Sequence, residues 1–160
     1  MDHFNRADNR RNNGGNRPRQ RESIAEKAEK YVAPIKAMLS LESAGTQEIK
    51  TGVTTISRMM EANKNVTAHQ VRNIFSLVND IDPENADGQS LKILNMLRPR
   101  LAYIGARQTN DDGKIVVYVL DQLITSFSDE TNAKTVKEKI KGLRYIMESI
   151  VAYHKYYSKN

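Results

Sequence analysis

"KIVVYVLDQLITSF", residues 114–127, decides between two fold classes. Its first seven residues are rich in β-branched side chains and alone would pass for a strand. Continuation through "DQLITSF" settles the matter, because Val116, Leu120, Leu123, Ile124 and Phe127 recur at helical spacing. With this segment helical, nothing in the chain demands a sheet. The expectation is an all-α fold, a compact bundle of about five to six helices.

The neighbours read the same way. "SIAE" at 23–26 is a capping box with Ser23 as N-cap and Glu26 at the third helical position. Ile24, Ala28, Tyr31, Ile35 and Met38 follow on one stripe, and Pro34 must kink or divide that helix. Ile49, Val53, Ile56 and Met60 mark a second helix. Thr67 with Gln70 forms another box, ahead of a buried face of Val71, Ile74, Phe75 and Val78. Leu94, Leu97, Leu101 and Ile104 mark a fourth, with Pro99 inside it. Asp111, Asp112 and Gly113 read as a turn. The last helix starts near Asn132, or at Thr135 with Glu138 as its box, and buries Val136, Ile140, Leu143, Met147, Ile150, Val151 and His154. Tyr153 and Tyr157 flank that stripe together with Ile146, as a closing edge of the core.

The chain has 160 residues, enough for one domain with a single core. It contains no cysteine, which excludes disulfides and thiolate sites and suits a reducing, cytoplasmic setting. No apolar run approaches the ~18 residues that span a bilayer, and no signal peptide is visible, so no membrane role is expected. The expected division is a tail at 1–21 and a single helical domain at 22–160.

Charge is one-sided. The formal net charge is +6, and much of it sits in "MDHFNRADNRRNNGGNRPRQR", an Arg/Asn-rich stretch with too little apolar surface to offset its ordering entropy, hence expected to be disordered. Arg10, Arg11, Arg17, Arg19 and Arg21 would serve there either as a nucleic-acid arm or as solubilising charge. Between Gly88 and Asn110 stand Lys92, Arg98, Arg100 and Arg107 without one acid. Arg100, Tyr103 and Arg107 line up opposite the buried stripe, so guanidinium forks suited to phosphates flank a ring that can stack on an unpaired base. On the last helix Lys134, Lys137, Lys141, Arg144, Lys155 and Lys159 share an outward sector with Tyr145 and Tyr156, interrupted by Glu148. A solvated face is the alternative for each stripe taken singly. Taken together they favour nucleic acid.

Catalysis finds little support. "DIDPENADG" invites comparison with a calcium loop, but Asn85 stands at the required glycine and Leu91 at the bidentate glutamate. His3, His69 and His154 form no ligand pair, and no nucleophile stands beside a base. A metal-dependent nuclease using the acidic loop is the remaining enzymatic alternative. The expectation is a binding protein without metal or cofactor.

Three passages, "VTAHQVRNIFSLVN" (66–79), "LRPRLAYIGAR" (97–107) and "YIMESIVAYHKYY" (145–157), resemble in that order the segments that mark the small helical subunit of the type III-A CRISPR interference (Csm) complex. The resemblance covers roughly 65–159, leaving 22–64 as extra N-terminal helices. The chain has Gly105, Ala106 and Arg107 where the family looks like "AGR", and "ESIVAY" where it tends to "EALVAY". The resemblance implies a non-enzymatic, RNA-binding subunit of an antiviral ribonucleoprotein complex. Several copies would stack beside a repeated RNA-recognition-like backbone subunit, under the large polymerase-like signature subunit. They would line the channel holding guide RNA paired with target RNA. Arg72 matches the family's basic position in the first passage; Arg98, Arg100 and Arg107 fall in the second and Lys155 in the third. Lys137, Lys141 and Arg144 join the candidate set from the charged sector, as does Tyr103 from its stripe. None should read sequence, since the guide does so by base pairing. The alternative is a helical scaffold with no direct nucleic-acid role.

Overall fold

The computed structural model describes residues 21–85 and 88–158. Its elements in order are α1 (Ile24–Lys36), a 3₁₀ turn (Ala37–Ser40), α2 (Thr46–Ala62), α3 (Ala68–Asn79), a short 3₁₀ turn (Pro83–Asn85), α4 (Gly88–Ala106), α5 (Asp111–Thr125) and α6 (Ala133–Tyr157). No strand occurs among the described residues, and the fold is an all-α bundle. The expectation of a disordered tail, and with it Arg10, Arg11, Arg17 and Arg19, lies outside the described residues, as does Lys159.

The caps hold as the sequence predicts. Ser23 Oγ accepts from the Glu26 N–H at 3.2 Å, and the Ser23 N–H donates to the Glu26 carboxylate at 2.6 Å. That donation, with the hydroxyl, keeps the Glu26 carboxyl below its ordinary range. Thr67 and Gln70 exchange the same two bonds at 3.3 and 2.9 Å. At the last helix Asn132 is the N-cap, its side chain accepting from the Thr135 N–H at 3.1 Å. Glu138 bonds instead to the Ser43 hydroxyl, at 3.2 Å. Pro34 sits two residues before the end of α1, after which the backbone tightens into the 3₁₀ turn.

The strand-like half of α5 has a structural cause. Ile115, Val116, Val117, Val119, Leu120, Leu123 and Ile124 are all buried, because α1 and α4 both pack on this helix. A helix covered on two sides keeps only a narrow polar face, here Lys114 and Tyr118 in the first half, and so few positions reveal its period poorly. Its start lies earlier than the expected turn: Asn110 accepts from the Asp112 N–H at 3.1 Å, and Asp111, Asp112 and Gly113 form the first helical turn. Carboxylates there complement the free N–H groups of a helix N-terminus. Asp111 also takes Lys27 of α1 at 2.6 Å, which holds its carboxyl below the usual range, while Asp112 accepts from the Asn65 N–H at 3.0 Å.

α6 is the spine of the other half, packed by α2, α3 and the 3₁₀ turn after α1. Ile140, Leu143, Ile146, Met147 and Ile150 are buried along it. Ile146 lies inside the core, not at its edge, because the stripe is wider than the wheel predicts. Val151 and Phe75, by contrast, are half-buried. At Gly142 the helix meets backbone directly: a Cβ there would strike the carbonyl oxygen of Leu39 and stand 2.7 Å from its Cα. Tyr157 closes the edge as expected, its hydroxyl 2.8 Å from Ser57 Oγ and its ring stacked on Tyr153 at 6.3 Å.

Candidate nucleic-acid interface

In α3 the residues Val71, Ile74 and Val78 face inward, which turns Arg72 to solvent. In α6 the burial of Ile150 and His154 does the same for Lys155. Because α3 packs on α6, these two cations, 83 positions apart, line one groove of about 290 Å³. Lys64, from the connection before α3, lines it too, over a floor that includes Val66, Val71 and Val151. His154 fixes this corner. Its Nε2 lies 2.7 Å from the Val66 carbonyl, an acceptor only, so that nitrogen carries the proton and donates. Ser158 Oγ is 3.0 Å from the same atom. The histidine is therefore structural, as its apolar stripe suggests. Among the described residues no carboxylate stands within 4.0 Å of Lys64, Arg72 or Lys155.

A second groove, of about 530 Å³, runs between α3 and α4 and is lined by Arg100 and Tyr103. Tyr103 is 61% exposed, among the most exposed large apolar side chains described. Arg107, one turn on, donates to its hydroxyl at 3.0 Å, with the guanidinium carbon 5.5 Å from the ring centroid. The alignment of Arg100, Tyr103 and Arg107 thus exists despite Pro99, which α4 carries in its interior.

Other candidates are engaged elsewhere. Arg98 faces α5, where Asp121 takes its Nε at 2.8 Å and its Nη2 at 3.4 Å, so it does not share the surface of Arg100. Two residues along a helix rotate a side chain by roughly 200°, which separates them. On α6, Lys137 and Lys141 reach the Glu84 carboxylate at 2.6 and 3.5 Å. Lys137 first, and Lys141 after it, keep the Glu84 carboxyl below its ordinary range. Arg144 donates to the Asn79 side chain at 2.8 Å. Arg21 is exposed.

Among the described residues of the acidic loop, Asp82 accepts from the Glu84 N–H at 2.9 Å and shapes the 3₁₀ turn, while Glu84 turns toward the lysines. No group of three or more His, Asp or Glu poised for a metal occurs among the described residues. Lys64 is the residue that pattern reading misses. It lies in "ANKNVT" between two helices, where no period assigns a face, and only the packing of α3 on α6 brings it to Arg72.

No described helix is long and apolar enough to cross a membrane. The family model described as Csm2 Type III-A matches residues 42–160. The match takes in α2, which the three passages leave outside, whereas α1 precedes it yet buries Ala28, Tyr31, Val32 and Ile35 in the same core. No curated relative and no solved structure matches the chain significantly. A match over most of the length, on a helical bundle of this kind, shows that the chain belongs to the Csm2 type III-A family, the non-catalytic small subunit of type III-A CRISPR complexes.

Proposed function

We propose that this subunit binds the sugar-phosphate backbone of the guide RNA–target RNA duplex, several copies stacking along it inside a cytoplasmic effector complex. The observation that carries the reading is the groove between α3 and α6, where Arg72 and Lys155 converge with Lys64 and have no carboxylate partner among the described residues. Unpaired cations from three parts of the chain create a local positive field, and a polyanion gains most where counter-ions are displaced. Arg100 and Arg107 extend the basic surface along α4. The backbone subunit of RNA-recognition-like fold and the polymerase-like signature subunit are the partners that the family resemblance supplies. If the tail contributes, Arg10, Arg11, Arg17, Arg19 and Arg21 add to the same electrostatic attraction without reading sequence.

Arg72→Glu with Lys155→Glu is the test. Both side chains are exposed, so the melting temperature should hold while affinity for duplex RNA falls, equally for two unrelated sequences. Unchanged affinity would leave the helical scaffold as the better reading.

A further inference from the structure

We infer that the groove between α3 and α4 is a seat for one unpaired RNA base, stacked on Tyr103. The inference rests on the RNA-binding reading and adds a base-holding function to a subunit otherwise assigned to backbone contact. Leu77, Pro99 and Ile104 line the groove with apolar surface that the fold leaves partly or fully exposed, and Ser76 supplies a hydroxyl. Such a surface suits the flat, poorly hydrated face of a base and gives a solvated salt bridge nothing to hold.

Tyr103 is prepared for this role. Its hydroxyl is held by Arg107, so the exposed ring loses less freedom on stacking than a free one would. Arg100 in the groove and Arg107 beside it would meet the phosphates on either side of an extruded nucleotide, and residues 88–110 contain no acid to repel them. Stacking tolerates every base identity, so such a site is compatible with a guide that alone reads sequence. A bulged or flipped position is required, because a paired base offers no free face.

Two RNA duplexes decide it, one fully paired and one carrying a single bulged 2-aminopurine, each titrated with the full chain. Wild type should bind the bulged duplex at least about fivefold tighter and quench the probe. Tyr103→Ala should abolish the preference and the quenching while leaving the melting temperature in place. Tyr103→Phe keeps the ring and should keep the quenching. Equal affinity for both duplexes without quenching overturns the inference and leaves the backbone reading standing, since that reading depends on the paired duplex and on Arg72 and Lys155. Failure to bind either duplex overturns both. If Tyr103→Ala left RNA binding untouched but weakened incorporation into the assembled complex, the groove would be a protein contact and the inference would fall.

Discussion

The two ends of α6 both present lysines and wire them differently. Near its start Lys137 and Lys141 both reach Glu84. Near its end Lys155 shares a groove with Arg72 and Lys64, and no described carboxylate reaches it. A helical wheel draws these lysines as one stripe. What separates them is the loop that each end meets: the acidic connection after α3 at one end, the neutral and basic connection before α3 at the other. Counting cations on a face therefore overstates the binding surface; the count that matters is of cations without an internal partner.

Gly142 lies between the two ends, and disturbing it should give the largest effect. With Cβ blocked by the backbone of Leu39, Gly142→Ala must push α6 off the 3₁₀ turn. Overpacking of this kind costs roughly 1–3 kcal/mol, or several degrees in the melting temperature of a chain this size. An unaltered thermal melt would mean that α6 does not rest on Leu39. Both ends should lose RNA affinity only in proportion to the protein unfolded.

Glu84→Gln sharpens the comparison at lower cost. It releases Lys137 and Lys141 and should raise RNA affinity about two- to fivefold, a modest gain because exposed ion pairs are weak. Acid should act alike. The Glu84 carboxyl is held below its ordinary value, so its contribution to folding is complete above the unfolded carboxylate range and is lost as pH falls through the lowered folded value. Over that window the two lysines become free, and the affinity difference between wild type and Glu84→Gln should shrink to nothing. A difference that persists in acid would point to a cause other than the carboxylate.

Much of the fold is legible in the residues, and the reasons it is not fully so are specific. The boxes at Ser23 and Thr67 are local, three residues across, and sequence spacing carries them. The α5 segment is readable only through its second half, because its first is buried by two neighbours. Ile146 is misplaced at the edge of the stripe, since a wheel cannot know which other elements cover α6. At the site, the exposure of Arg72, Arg100, Tyr103, Arg107 and Lys155 follows from periodicity. The engagement of Arg98 by Asp121, of Lys137 by Glu84, and the arrival of Lys64 beside Arg72 depend on contacts between distant segments. No spacing rule reaches across them.

The central claim, that the unpaired end of α6 is the RNA-binding end, is tested most directly by the salt dependence of RNA binding in two double variants, Arg72→Gln with Lys155→Gln and Lys137→Gln with Lys141→Gln. Each phosphate contact contributes roughly 0.7–0.9 to the slope of log affinity against log salt. The first pair should flatten that slope by about 1.4–1.8, and the second should leave it nearly unchanged. Equal flattening by both pairs, or flattening by the second alone, would contradict the account.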